Sequence, residues 1–212
     1  TLVFALIHAT PGDPVDAMLG ETASAASRAE LRAHLGLDRP LSQQYIGFLA
    51  GIARGDLGTS IHSREPVTDL VAEHFPMTGL LAASALCLAV VFAIPRGLLA
   101  AARAGGVADR WCLAVSLLGV SIPNFWLGPM LVLAFSIALG VLPVAGSGSP
   151  SHLVLPAVTL GASLAGVLTR MTRSAVVEVL SQDYIRTARA TGASEARTLG
   201  RHALANALTP LI

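Results

Sequence analysis

Long apolar stretches alternate with polar, turn-rich segments along this chain. Residues 75–95 contain no Asp, Glu, Lys, Arg or His, and within 111–169 the only such residue is His152. A bilayer core about 30 Å thick requires about 20 apolar residues in helical form. The second stretch is too long for one span and contains a Gly- and Pro-rich turn at 140–152, so it predicts two spans.

The apolar stretches are rich in Ala, Leu and Val and lack period-2 alternation, which favours helices over a barrel. A soluble helical core would be interrupted by charged positions every few residues. The predicted fold is therefore all-α, a polytopic membrane helical bundle with a small helical cap outside the membrane. The predicted spans cover about 75–101, 109–139 and 153–180.

Both ends of the sequence resemble parts of further spans. Residues 1–9 predict the end of a first transmembrane helix, and residues 207–212 predict the start of a next one. Residues 1–9 also lack the basic region and the small-residue cleavage site of a signal peptide. We expect the sequence to be an internal piece of a longer polytopic protein, in which residues 75–212 form the membrane domain.

Two prolines interrupt the span at 109–139. Pro123 and Pro129 each remove a backbone donor, which predicts a kinked helix. Ser116 and Ser121 are expected to bond the carbonyl groups that Pro123 leaves free. The kink serves either helix packing or a gate for substrate, and Ser121 and Pro123 are the candidates for the gate.

The distribution of Arg predicts the orientation. The turn at 96–110 carries three Arg, the loop at 140–152 carries none, and the segment at 170–206 carries six. Because short Arg-rich loops stay cytoplasmic, the turn and the segment at 170–206 are predicted to face the cytoplasm. Residues 10–74 then lie outside, and their 5 Arg and 9 acidic residues sum to −4.

The outer segment at 10–74 has signals for two helices. Ser27 and Glu30 form a capping-box pattern that predicts a short helix ending at Gly36. A second helix is predicted at about 40–54, closed by Gly55. Its apolar face comprises Tyr45, Phe48, Leu49 and Ile52.

A short helix is predicted on the cytoplasmic side, in the segment 181–206. Asp183 is expected to be its N-cap and Gly192 its C-cap, which leaves about two turns, and Ser194 is expected to cap a second helix. A helix this short is unstable in water and needs a surface to dock against. Its apolar face is Tyr184, Ile185 and Ala188, with Arg186 and Arg189 available to acidic partners.

The composition argues against several kinds of binding and catalytic site. The net charge of +1 gives no basic footprint for nucleic acid. All 14 basic residues are Arg, so the chain has no P-loop lysine, and any ATP chemistry belongs to a partner. Cys87 and Cys112 lie in apolar stretches and are predicted to be buried. The six histidines show no metal-binding spacing, and no catalytic, cofactor-binding or metal-binding residue is predicted.

Two other classes of protein fit this sequence less well. An intramembrane enzyme is disfavoured by the lack of a catalytic motif. A proton-driven secondary transporter is disfavoured because no span has an acidic residue or a histidine at its centre.

Several separated motifs resemble one family. The segment Arg186-Thr-Ala-Arg-Ala-Thr-Gly192 is similar to the cytoplasmic coupling loop of the permease subunits of bacterial ABC importers, although Arg186 replaces the usual Glu. Pro11-Gly-Asp-Pro14, Gly55-Asp-Leu-Gly-Thr-Ser60 and Ser121-Ile-Pro-Asn-Phe-Trp-Leu-Gly128 resemble the dipeptide, oligopeptide and nickel branch. The resemblance covers nearly the whole chain.

This resemblance implies a type I ABC importer permease in the bacterial cytoplasmic membrane. It implies a second permease subunit, two cytoplasmic ATP-binding subunits that hold ATP and Mg, and an extracytoplasmic solute-binding protein. Peptide is the first expectation for the substrate, with nickel complexes and glutathione-like ligands left open. The residues implied in coupling to the ATPase are Tyr184, Ile185, Arg186, Thr187, Ala188, Arg189, Ala190 and Gly192.

Overall fold

A computed structural model describes residues 2–9, 15, 19, 24–60 and 62–207. The chain divides into two compact units, residues 1–76 and 77–212. Within the described ranges the regular structure is helical, and the only extended pairing is one isolated antiparallel bridge between Thr59 and Pro66. The all-α prediction is confirmed for this part of the chain.

Among its described residues, the first unit contains three short helices. They are α1 (Leu2–Ala9), α2 (Ala25–His34) and α3 (Leu41–Ala53). The ring of Phe4 in α1 lies against the rings of Tyr45 and Phe48 in α3, with centroid distances of 5.3 and 5.7 Å. The apolar face predicted for α3 therefore does contact another helix.

The predicted start of α2 is wrong by one turn. Ser24, not Ser27, is the N-cap, and its Oγ accepts a hydrogen bond from the Ser27 amide at 3.1 Å. Ser24 is an equally good cap, and the two alanines that follow it favour helix, so α2 begins earlier. The predicted ends are confirmed, because Gly36 and Gly55 follow α2 and α3 with φ of +68° and +79°.

The second unit is built around long helices. They are α4 (Val67–Ala102), α5 (Val107–Ser121), α6 (Asn124–Leu131), which continues as a π-helical segment (Val132–Ala138), and α7 (Ser151–Leu180). Helix α4 begins in the first unit, eight residues before the predicted start of the span at 75. Its 36 residues make about 54 Å of helix, so it is longer than a bilayer core.

Of the described helices, α4 and the segment 150–180 that contains α7 are long and apolar enough to cross a membrane. The pair formed by α5 and the segment 124–138 passes the same test together, but it is bent by 98°. A pair bent in this way is either a third, broken span or a re-entrant loop.

The bend is a break rather than the predicted kink. Helix α5 ends at Ser121, Ile122 is extended with φ −80° and ψ 118°, and Pro123 is the N-cap of α6. Proline disfavours the α conformation of the residue before it, which explains why the helix ends before Ile122. Ser116 was expected to bond a carbonyl freed by Pro123, but its Oγ donates to the carbonyl oxygen of Cys112 at 2.7 Å.

Small residues let the long helices approach closely. Ala89 and Ala93 of α4 form a buried cluster with Ala165 of α7. A Cβ on Gly161 would lie 3.0 Å from the carbonyl oxygen of Ala85. Close backbone approach through Gly and Ala is typical of helices that pack in membranes.

The two cysteines differ in burial. Cys112 is buried as predicted, whereas Cys87 is exposed on α4, so that half of the prediction is wrong. An apolar stretch predicts a span, but it does not show which face of the helix meets its neighbours.

Four short elements follow α7 in the described residues up to Ala207. They are α8 (Asp183–Ala190), α9 (Glu195–Arg197), a π-helical segment (Thr198–Ala203) and α10 (Leu204–Ala207). The predicted start of a next span, after Ala207, lies outside the described residues. The motif at 11–14 also lies outside them.

Candidate coupling site

Helix α8 is the predicted two-turn helix, but its cap differs from the prediction. Gln182 is the N-cap, with an extended backbone and no side-chain hydrogen bond, and Asp183 is the first helical residue. The Asp183 carboxylate instead lies 3.3 Å from Nη1 of Arg186, one turn along the helix. An acidic side chain in the first turn is also favourable for the helix dipole, so Asp183 stabilises α8 without capping it.

The two faces of α8 have different environments. The Ile185 side chain is fully buried, whereas Tyr184 is 45% exposed. Arg186 and Thr187 are exposed and Ala188 is half-buried. The prediction that Ile185 is offered to a partner is therefore wrong, because this side chain anchors α8 to its own chain. The surface left for a partner is formed by Tyr184, Arg186 and Thr187.

The end of α8 is a well-formed helix stop at Gly192. Gly192 has φ +88°, and the amide of Ala193 donates to the carbonyl oxygen of Ala188 at 3.1 Å. The Gly192 amide donates to the Arg189 carbonyl oxygen at 3.0 Å. These two bonds form a Schellman motif, and its left-handed position favours glycine. The predicted C-cap glycine is confirmed.

An ion pair spans the turn after α8. Arg189 Nε lies 2.8 Å from Glu195 Oε1, and Nη2 lies 3.2 Å from Oε2. Ser194 caps α9 as predicted, because its Oγ accepts from the Arg197 amide at 3.4 Å. The Gly192 turn, the Ser194 cap and the ion pair are successive contacts that link α8 to α9.

The segment after α9 packs on the end of α7. Val176 of α7 forms a buried cluster with Ala101 of α4 and with Ala203 and Ala207. Helix α8 also contacts the π-helical segment 198–203. Helix α8 thus contacts residues 198–203, which belong to a packed base formed by the ends of α4 and α7 and by residues 198–207.

A buried ion pair lies near this base, and sequence analysis did not identify it. Asp109 in the first turn of α5 binds Arg173 of α7, with Nε–Oδ1 at 2.5 Å and Nη2–Oδ2 at 2.7 Å. The signal in the sequence was that Asp109 is the one acidic residue in the Arg-rich turn at 96–110. Sequence alone does not show which arginine it binds.

The other two candidate residues are separate from α8 along the chain. Ser121 and Pro123 lie at the break between α5 and α6. Beside this break is a cavity of about 510 Å³, whose walls include Asn124 and Gly128 of α6 and His152 of α7. The assignment of Ser121 and Pro123 to a gate stays a prediction.

Comparison with known protein families identifies the chain as a transport component. Residues 93–212 match the family described as "Binding-protein-dependent transport system inner membrane component". Residues 1–82 match the N-terminal family described as "Binding-prot-dependent transport system membrane comp, N-term". Together the two matches cover most of the sequence.

Individual relatives agree with these matches. The chain is 41% identical over 211 residues to the glutathione transport system permease protein GsiC of Escherichia coli. It is 42% identical to the GsiC protein of Pectobacterium atrosepticum and 41% identical to that of Shigella flexneri. Each alignment covers 100% of this chain and 69% of the relative.

The predicted family, the helical type I permease fold and the multi-pass inner-membrane location are all supported by these relatives and by the apolar helices. The family is a transport component rather than an enzyme. The chain belongs to the binding-protein-dependent inner membrane components, the permease subunits of ABC importers, in the dipeptide, oligopeptide and nickel branch.

Proposed function

We propose that this chain lines the translocation path of an ATP-driven peptide importer and that α8 is its coupling helix. On this proposal one of two cytoplasmic ATP-binding subunits engages α8. A second permease subunit completes the path, and an extracytoplasmic solute-binding protein delivers the substrate. The family match supports the general assembly, and the geometry of α8 supports its role within it.

The observation that carries the proposal is the division of α8 into an anchored face and a free face. Ile185 is fully buried in the chain, whereas Tyr184 and Arg186 are exposed at adjacent positions. An exposed helix of eight residues is too short to be stable by itself. A helix anchored on one side can move with a partner bound on the other without unfolding.

The turn after α8 supports the same role. Arg189 and Glu195 bridge the Gly192 turn, so α8 and α9 are joined by a structured turn rather than by a free loop. A rigid element that shifts between two positions transmits a displacement, and a flexible loop absorbs it. A movement of α8 would therefore pass through α9 and residues 198–207 to the end of α7.

For the substrate we propose di- and oligopeptides, including glutathione-like peptides. The relatives are named as glutathione transport permeases, and glutathione is itself a short peptide. In an importer of this kind the binding protein makes most of the selection, so the permease path needs to accept a class of peptides rather than one molecule.

The test is peptide uptake by the complete complex in proteoliposomes, measured together with ATP hydrolysis. Gly192→Val should lower uptake per ATP hydrolysed while the protein still inserts into the membrane. A Cβ at Gly192 would meet no atom within 4 Å, so the expected defect comes from the φ of +88° alone. Gly192→Asn should retain more coupling, since Asn tolerates the left-handed conformation.

Gly200→Val is the matched control, because Gly200 also has open space around its Cβ position but lacks a positive φ. Normal coupling in Gly192→Val would refute the role of α8. Peptide uptake that does not require ATP or the binding protein would refute the importer itself. Competition among a dipeptide, glutathione and a nickel complex then identifies the substrate class.

A further inference from the structure

The pair formed by Asp109 and Arg173 joins two helices that are distant in sequence. Both guanidinium bonds are short, at 2.5 and 2.7 Å, and they connect positions 64 residues apart. The amide of Gly105, in the turn before α5, donates a third hydrogen bond to Asp109 Oδ2 at 2.8 Å. The Asp109 carboxylate is thus held by three donors from two parts of the chain.

Burial makes this pair different from the other ion pairs of the cytoplasmic segment. The Asp109 side chain is 4% exposed and that of Arg173 is 26% exposed, whereas the Asp183–Arg186 pair is 95% and 77% exposed. A two-pronged guanidinium–carboxylate contact fixes distance and orientation together. Breaking a buried pair leaves an uncompensated charge, so the two helices are held firmly at this point.

The pair also borders the packed base that α8 contacts. On α7, Arg173 lies between Thr172, which packs against Gly97 of α4, and Val176, which packs against Ala203. The end of α7 is therefore fastened to α4 and to residues 198–207 by apolar contacts. Helix α5 already packs closely along α7, since a Cβ on Gly166 would lie 2.4 Å from the carbonyl oxygen of Ser116. The ion pair fixes the start of α5 to α7 at this end.

We propose that Asp109 and Arg173 are positioning residues for coupling. Their ion pair transmits a displacement of α8 from the end of α7 to α5, and so to the broken helix pair at 107–138. This inference rests on the proposed role of α8 in binding an ATPase subunit. The pair stays closed throughout the transport cycle, because its function is to make α5 and α7 move together.

The two parallel hydrogen bonds of the pair require an arginine at position 173. Lys has the charge of Arg but a single point-like donor group, so it cannot reproduce the two parallel bonds to Asp109. Arg173→Lys therefore removes the geometry and retains the positive charge that orients the protein in the membrane. A role in orientation alone would survive this substitution, and a positioning role would not.

Arg170→Lys is the matched control. Arg170 lies one turn before Arg173 on α7 and is exposed. Both variants are made in the full-length permease and reconstituted with its second permease subunit, ATP-binding subunits and binding protein. The measurements are membrane abundance, ATP hydrolysis and peptide uptake per ATP hydrolysed.

Arg173→Lys is expected to keep abundance and ATP hydrolysis but to lower uptake per ATP by about fivefold or more, the usual range of coupling between sites. Arg170→Lys is expected to match the parent protein. Equal coupling in the two variants would overturn the proposal. If Arg173→Lys fails to accumulate, the double variant Asp109→Asn/Arg173→Gln, which removes both charges together, provides the same measurement.

Full coupling in that double variant would show that the pair serves folding alone, and the proposal would be wrong. Failure of the parent complex to take up peptide with ATP would instead refute the proposed function.

A cross-link tests whether the pair stays closed during transport. In a background lacking Cys87 and Cys112, Asp109→Cys together with Arg173→Cys removes the ion pair and should lower uptake per ATP. A short bifunctional thiol reagent that joins the two new thiols should restore it, and uptake that stays low after cross-linking would show that the pair must open.

Discussion

Thr172 of α7 occupies the space that a side chain on Gly97 of α4 would need. A Cβ on Gly97 would lie 2.6 Å from the Cβ and 2.7 Å from the Cγ2 of Thr172, and 3.0 Å from the carbonyl oxygen of Thr169. The two helices can therefore approach this closely only because residue 97 is glycine.

Gly97→Ala is predicted to destabilise the packing of α4 on α7. The added methyl group forces the helices apart, and overpacking of this kind costs about 1–3 kcal/mol. The thermal midpoint of the purified permease in detergent should fall. Gly79→Ala on the same helix is the control, because its Cβ would meet no atom within 4 Å and should leave the midpoint unchanged or higher.

The two faces of α8 should respond differently to truncation. Ile185→Ala removes a fully buried side chain and is predicted to loosen α8 by about 2–5 kcal/mol. Trypsin should then cut faster at Arg186 and Arg189 in inside-out vesicles. Tyr184→Ala truncates a half-exposed side chain, so trypsin resistance should be kept while binding of the ATPase subunit weakens. Similar digestion of the two variants would contradict the anchored face.

The ion pair across the Gly192 turn is predicted to have only a small effect on both stability and coupling. Arg189 and Glu195 are 41% and 65% exposed, and exposed pairs of this kind contribute about 0–1 kcal/mol. Glu195→Gln should leave the thermal midpoint nearly unchanged and lower uptake per ATP by roughly twofold, an effect of the same small energy. Uptake per ATP in the parent should fall as salt is raised, because salt screens the exposed pair. Uptake per ATP in Glu195→Gln, which lacks the pair, should not show this dependence on salt.

The orientation inferred from Arg predicts the accessibility of two turns. In a background with Cys87→Ala and Cys112→Ala, Ser147→Cys should react with a membrane-impermeant maleimide added to intact cells. Ala104→Cys should react only after the cells are opened. Both positions are exposed in the structure, so burial within the chain does not protect either one. Labelling in the opposite order would reverse the topology.

Local signals in the sequence were reliable where neighbouring residues alone decide the conformation. The left-handed stops at Gly36, Gly55 and Gly192 were predicted, because each depends on the helix directly before it. The start of α2 was misplaced, because Ser24 and Ser27 compete as caps and only the formed helix shows which one is used.

The amino-acid sequence alone predicts that the chain is helical and membrane-spanning, that it carries a short capped helix after α7, and that it resembles an importer permease. Those properties depend on runs of apolar residues and on local stops, which are continuous along the chain. The packing of the helices is needed to show that Ile185 is buried, that Cys87 is exposed, and that Asp109 binds Arg173. These properties depend on which helices pack together, and contacts across 64 residues leave no local pattern to read.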